Sequence, residues 1–253
     1  MESEAAAAHR ALEVVFSRLY AEFDGARFER RGDVIHALCP AFPIPQCNGP
    51  WVVEDTQSAA DGLADAIAEV DASGAWPWVQ TRSGQERAQR AAAELGLTVR
   101  ESLPGMVVRP AELVTPPSVD GLAIDLIAGG EAGAANAVLA ASFGISIELL
   151  DAIGATFVAL EGVSCYVGRV DGEVVATALG HTIDDITGVF NVATMPDHRG
   201  RGHGAALTAR AVQGGFESGA RLAFLQSSQM GHPVYRRLGF RDVEEYVLLT
   251  RPA

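Results

Sequence analysis

One junction constrains this chain more than any other feature. A strand-like run at residues 187–193 meets Met195-Pro196, and a glycine then recurs at every second position: Gly200, Gly202 and Gly204. A helical pattern follows at once through Ala205, Ala206, Leu207, Ala209, Ala211, Val212 and Phe216. A strand, a glycine-rich turn and a helix N-terminus in succession build an anion site, because free backbone N–H groups converge with the positive end of the helix dipole. Glycine is needed there because a Cβ would block approaching phosphate oxygens or forbid positive φ. The spacing Arg199-x-x-Gly202-x-Gly204 differs from both common nucleotide loops. A P-loop closes with Lys-Ser/Thr, and this chain has no lysine; a dinucleotide turn needs a third glycine where Leu207 stands.

Downstream comes Pro233-Val234-Tyr235-Arg236-Arg237-Leu238-Gly239-Phe240. Together, and in this order, the two segments resemble the GCN5-related N-acetyltransferase (GNAT) family. Residues 199–204 match its acetyl-CoA pyrophosphate loop, R/Q-x-x-G-x-G/A, and Tyr235 four residues before Gly239-Phe240 looks like its terminal signature. The resemblance runs over residues 122–250 and implies an α/β acyl-CoA N-acyltransferase fold, a mixed central sheet with flanking helices.

The same resemblance implies an N-acetyltransferase in which a primary amine attacks the thioester of acetyl-CoA directly in a ternary complex. The chemistry needs a held thioester, a stabilised oxyanion, a base for the ammonium proton and an acid for the leaving thiolate. In the family a β-bulge leaves backbone groups free before the loop; carried over, these belong to Val192, Ala193 and Thr194. Arg199 and Arg201 offer charge to the phosphates, and Gly200, Gly202, His203 and Gly204 offer N–H groups. His203 and His198 read as surface residues. Tyr235 is the candidate acid. Ser228 stands where family members often carry an asparagine that contacts the cofactor. No base stands out: Glu148, His181 and Asp184 lie on elements able to face an acceptor, and a water chain serves many such enzymes. The rival is a noncatalytic acyl-CoA-binding sensor or scaffold, which would keep the loop and tolerate loss of Tyr235.

Composition narrows the partners. A net charge of −13 argues against nonspecific binding to nucleic acid or an anionic membrane. No apolar run reaches membrane-spanning length, and the acidic, alanine-rich start is unlike a secretory signal, so the expected location is cytoplasmic. Arginine without lysine, beside abundant alanine and glycine, suggests a GC-rich bacterial gene. Cys39, Cys47 and Cys165 form neither a metal pattern nor an even disulfide framework, so no metal is expected. The resemblance implies a small-molecule or peptide amine as acceptor, and the sequence allows a monomer or a homodimer.

Turn chemistry orders the last third. Residues 164–170 and 174–182 are joined by Asp171-Gly172, a hairpin signal, and Asp184-Asp185 leads into 186–193. Helical patterns cover 131–141 and 148–153; a strand at 222–226, a short helix at 234–238 and a strand at 246–250 complete the order. The first 110 residues hold an echo. Leu95-Gly96-Leu97 running to Arg109-Pro110 parallels Leu238-Gly239-Phe240 running to Arg251-Pro252, with a helix at 56–71 and a strand at 76–81 upstream. The chain therefore reads as a tandem: a degenerate GNAT-like domain at 1–115, a proline-rich linker at 110–117 and a catalytic domain at 118–253. Glu54 and Asp55 replace the phosphate loop in the first copy, where they would repel a pyrophosphate, and Ala92 stands in place of Tyr235.

Overall fold

The computed structural model describes residues 2–252. In chain order these form α1 (Glu4–Ala21), β1 (Arg27–Arg31), β2 (Val34–Leu38), β3 (Gly49–Val52), α2 (Gln57–Ala72), β4 (Trp78–Arg82), α3 (Glu86–Glu94) and β5 (Val99–Val108). Then come β6 (Ala123–Ile127), α4 (Ala132–Phe143), α5 (Ile147–Ala159), β7 (Val163–Val170), β8 (Glu173–Ile183) and β9 (Ile186–Thr194). The last elements are α6 (His203–Glu217), β10 (Leu222–Gln226), α7 (His232–Arg237) and β11 (Arg241–Thr250). No described helix is long and apolar enough to cross a membrane.

The chain packs as two units. The larger takes the residues up to Val15 with Met106–Val243; the smaller takes Phe16–Gly105 with the residues from Glu244 onward. The division by packing thus falls inside β5 and β11. A division at 115–118 concerns ancestry, which is a separate question. Residues 110–117 do not begin as a free spacer: Pro110–Glu112 form a 3-10 turn, and the Val114 N–H donates to the Leu238 carbonyl at 3.0 Å.

In the larger unit the strand order is β5-β10-β9-β8-β7-β6. β6 to β9 pair antiparallel, while β9 and β10 run parallel. The hairpin turns carry positive φ at Asp171 (51°), Gly172 (85°) and Asp184 (51°), as the right-handed twist of the flanking strands demands. Side chains alternate along β7: Tyr166 joins the core under α6, while Cys165 and Val167 join the core with Leu179 and Phe157. Small residues let α6 sit close to the sheet. A Cβ on Gly180 would lie 3.2 Å from the Ala211 carbonyl oxygen, and one on Gly215 would overlap Thr187.

The smaller unit has the order β1-β2-β3-β4-β11-β5. Its core joins Leu63, Ala66 and Ile67 of α2, Ala88 and Ala92 of α3, and Val52, Val79 and Val247 of the sheet. Phe16, Phe28 and Trp51 form a ring cluster, with Phe16 and Phe28 centroids 4.8 and 5.0 Å from that of Trp51. Asn48 staples the loop after β2, accepting from the Cys39 N–H and donating to the Phe42 and Ile44 carbonyls, each at 2.8 Å. Strands β1 to β3 and α1 have no counterpart in the sequence reading above.

Helix α7 ends in a Schellman motif. The Phe240 N–H donates to the Tyr235 carbonyl and the Gly239 N–H to that of Arg236, with Gly239 at φ 93°. A Cβ at Gly239 would overlap the Glu112 carbonyl oxygen. Gly239→Ala therefore combines a left-handed penalty with a backbone clash, for a loss of about 2–3 kcal/mol. In a chain of this length that is about 5–10 °C in thermal melting; an unchanged melt would mean that the turn relaxes freely.

Candidate functional site

The site is built where β9 parts from β10. Their ladder covers only Ile186–Gly188 against Leu222–Phe224, yet β9 continues to Thr194. On the other side, β8 pairs Leu179 with Phe190 and Thr177 with Ala193, so Asn191 and Val192 together oppose Ala178. This is a β-bulge, and Asn191 accommodates it at φ 53°, a conformation asparagine tolerates better than most residues. Beyond the bulge the Met195 N–H donates to the Val175 carbonyl at 2.8 Å. By the alternation of an antiparallel ladder, Thr194 then turns its backbone away from β8, toward the side β10 has left.

The three strand residues are therefore not equivalent. Val192 lies in the bulge, Ala193 stays in register with β8, and the Thr194 carbonyl is already bonded. It accepts from Ser142 Oγ at 3.1 Å and from Arg199 Nε at 3.2 Å. That leaves the Thr194 N–H and the bulge itself as the open backbone. Ser142, at the end of α4, was not singled out by the sequence reading; no motif marks it.

The glycine turn follows a 3-10 turn at Pro196–His198. Gly200 and Gly202 take φ of 75° and 91°, and Gly202 is the N-cap of α6 with no side chain capping the helix. The first helical bond runs from the Ala206 N–H to the Gly202 carbonyl at 3.0 Å, so the N–H groups of His203, Gly204 and Ala205 precede it. Arg199 and Arg201 are exposed, and Arg201 makes no ion pair among the described residues. Gly204 is roomier than its neighbour: a Cβ there would meet only Thr194 Oγ1 at 3.6 Å.

His203 departs from the sequence reading. It is 3% exposed, so it is a buried residue and not a surface one. Its ring meets that of His198 edge-on, centroids 6.0 Å apart, and the Nδ1 of each is enclosed without a partner. Burial, then the neighbouring His198 and Arg201, push the His203 pKa below its ordinary value.

Tyr235 is buried in α7, its ring 5.9 Å from that of Phe240. This contact is the hydrophobic pair of the Schellman motif, so one local device both ends the helix and fixes the phenol. Burial pushes the Tyr235 pKa up to about 12. Ser228 is exposed, and its Oγ accepts from the Gly231 N–H at 3.1 Å, which commits it to the entry of α7.

The base candidates scatter. Glu148 is exposed in the first turn of α5, and Asp184 sits in the β8–β9 turn with Arg10 at 3.9 Å. His181 is fully buried and bonded through Nε2 to the Glu161 carbonyl at 3.1 Å. Among the described residues no three His, Cys, Asp or Glu side chains stand together to hold a metal ion.

Comparison with known proteins agrees with this geometry. Residues 144–240 match the family described as "Acetyltransferase (GNAT) family", so this segment, from the end of α4 through α7, is a GNAT domain. No curated protein matches the sequence. A GCN5-related N-acetyltransferase from Kribbella flavida is similar in structure, with a TM-score of 0.75 at 23% identity, over 97% of this chain and 95% of that one. One from Sphaerobacter thermophilus follows at 0.64 and 19%, over 87% and 78%. A functionally unknown conserved protein from Staphylococcus epidermidis scores 0.65 at 12% identity, over 91% and 96%. At such identities these likenesses show the fold.

A neutral, buried His203 has a measurable consequence. Its folded pKa lies below the unfolded value near 6.5, so below that pH the unfolded chain takes up a proton the folded one resists. Stability is full above about pH 6.5 and falls as the pH drops through it. In melts between pH 5 and 8, His203→Gln should flatten this acid limb; equal slopes would show that His203 is not held neutral.

Proposed function

We propose that the chain transfers the acetyl group of acetyl-CoA to a primary amine by direct attack in a ternary complex. The observation that carries this reading is the conjunction of two open backbone features on one strand–helix junction. The bulged end of β9 offers N–H groups beside the gap left by β10, and the uncapped start of α6 offers three more. A pyrophosphate suits the second, through the N–H groups of His203, Gly204 and Ala205 with Arg199 and Arg201 at the rim. A pantetheine amide suits the first. Ser228 is a weak cofactor contact in this reading, since its hydroxyl already serves Gly231.

In the reaction the amine nitrogen forms a bond to the thioester carbonyl carbon, the carbon–sulfur bond breaks and the sulfur leaves with its electron pair. The nitrogen gives up one proton, to water in the absence of a well-placed carboxylate. The Thr194 N–H is the candidate to polarise the carbonyl. Tyr235 supplies the hydroxyl for the leaving sulfur. With its pKa near 12 against about 8.5 for an ordinary thiol, full proton transfer from the phenol is uphill by about 4–5 kcal/mol. The phenol therefore acts as a hydrogen-bond donor that steadies the thiolate, and solvent completes the protonation. On this reading 118–253 is the catalytic part and 1–115 a copy that has lost its cofactor loop.

Removing only that donor tests the role. A hydrogen bond to a charged group contributes about 1.5–3 kcal/mol, so Tyr235→Phe should lower kcat by about 10–100-fold and leave acetyl-CoA affinity unchanged. The two rate profiles should run parallel from pH 7 to 10, because the phenol stays protonated throughout. Unchanged turnover would remove Tyr235 from the mechanism.

Calorimetry with acetyl-CoA tests the site itself. Gly204→Glu is the informative variant, since Gly204 has room for a side chain and Gly202, at φ 91°, does not tolerate one without strain. Wild-type binding that is lost in Gly204→Glu is the expected result. No binding by the folded wild type would overturn the reading. Binding without CoA release across a panel of amines would favour the noncatalytic acyl-CoA sensor.

A further inference from the structure

The smaller unit carries a feature that the transfer reaction does not use. A groove of about 740 Å³ runs between α2 and the β1–β2 hairpin, lined by Arg31, His36, Ser58, Asp65, Ala68 and Glu69 among others. From Ser58 to Ala72 it follows α2 for about 21 Å. The groove exists because α2 turns small residues toward the hairpin. Gly62, Ala68 and Ala72 lie along it, and side chains this small leave the space unfilled.

Its charges are not balanced. Arg31 donates to Glu69 at 2.5 Å and to Glu29 at 3.2 Å, and Glu69 also meets Arg27 at 3.6 Å. The cations are thus committed, and burial of Glu69 is outweighed by Arg31 and His36, which hold its carboxyl ionised. Asp65 has no ion pair or hydrogen bond among the described residues and is exposed along the wall. One negative charge therefore faces the groove uncompensated.

His36 adds a directional group. It is only 8% exposed, and its Nδ1 lies 3.4 Å from Glu69 Oε2. Nδ1 also lies 3.3 Å from Arg31 Nη1, so it stands between a donor and an acceptor, and Nε2 is the ring nitrogen left open. Nε2 makes no hydrogen bond to the described residues. The floor thus presents an open imidazole nitrogen and the wall an anion, with the Ser58 hydroxyl toward the helix start.

We propose that this groove is a binding site for an elongated organic cation, whose ammonium group pairs with Asp65 while a further N–H group reaches Ser58 Oγ. An anion is disfavoured because it would have to displace Glu69 from Arg31 and then sit beside Asp65. The site is independent of acetyl transfer, being formed wholly within Phe16–Gly105.

Spermidine, a linear polyamine, is the probe. Calorimetric titration of the full chain should show binding that weakens at least tenfold in Asp65→Asn and disappears in Ala68→Trp, which fills the groove. Asp65 and Ala68 are exposed, so both variants should melt like the wild type, and neither should change the affinity for acetyl-CoA. A polyamine bound as an acceptor in the larger unit would persist in both variants and be altered by Gly204→Glu plus acetyl-CoA. Equal binding by wild type, Asp65→Asn and Ala68→Trp overturns the groove, as does no binding by the wild type. A dimer that Ala68→Trp converts to monomers in sedimentation also overturns it, since a second copy would then be the occupant.

Discussion

Strand β9 has to satisfy one neighbour and abandon the other, and the site depends on how it does both. Against β8 it must keep a ladder, because unpaired buried backbone groups are expensive. Away from β8 it must keep groups free, because a ligand amide can pair only with backbone that nothing else has taken. The extra residue at Asn191–Val192 reconciles these demands. It shifts the register by one, so pairing resumes at Thr177 and Ala193 while β10 stays paired only as far as Gly188. Ser142 and Arg199 then take the Thr194 carbonyl, which ties the end of α4 and the start of the glycine turn to the same peptide unit.

Two of the chain's strand-to-helix junctions show what distinguishes an open helix start from a closed one. At α6 the N-cap is glycine and no side chain reaches the first N–H groups. At α2 the N-cap is Thr56, whose hydroxyl accepts from the Ala59 N–H at 3.0 Å and donates to Asp33 at 2.7 Å. That end is closed by its own side chain. Asp55, which the sequence suggests only as a repeller of phosphate, also holds a neighbouring helix in place. Its carboxylate accepts from the Arg87 and Ala88 N–H groups at the start of α3. The smaller unit thus commits its helix ends to its own stability. The larger leaves the start of α6 open, and an open helix end is what a ligand can use.

Legibility followed locality. Residues 222–226 emerge with the bounds the sequence suggests, and the β7–β8–β9 meander within a residue, because Asp171-Gly172 and Asp184-Asp185 fix the turns by their own chemistry. The loop and Tyr235 were legible as motifs. What failed depends on tertiary context. β1 has four charged residues in five and no alternation, and β3 contains Gly49 and Pro50, so both read as loop until neighbouring strands pair with them. His203 reads as surface because it lies among arginines and glycines; its burial comes from packing that no local pattern records. The echo between the halves also needs a narrower reading. Gly96 and Gly239 both end helices in Schellman motifs, but so does Gly219 after α6, with the Ala220 N–H on the Gly215 carbonyl. A Leu-Gly-apolar string is a stop signal before it is a sign of duplication. The stronger sign is that the run strand-strand-strand-helix-strand-helix-strand occurs twice, in β1–β5 and again in β7–β11.

Burial at the site acts in one direction on two different groups. It keeps the phenol of Tyr235 from losing its proton and the imidazole of His203 from gaining one, so both stay neutral at ordinary pH. Around the turn the formal charges are then those of exposed Arg199, Arg201 and Asp197, out at the rim. Such an arrangement suits a ligand that brings its own charge. In the proposed complex the rim meets the phosphates in water, where guanidinium attraction guides them without a large desolvation penalty. In that proposal neutral donors deeper in face the part of the ligand that is uncharged at first and gains charge only as the thioester breaks. Fixed dipoles in a poorly solvated place do most where charge is appearing rather than already present, and a charged side chain there would be worse, since its own desolvation would have to be offset before any reaction began. In the proposed reaction the neutrality of the site interior is therefore as much a part of the chemistry as the cations at its edge.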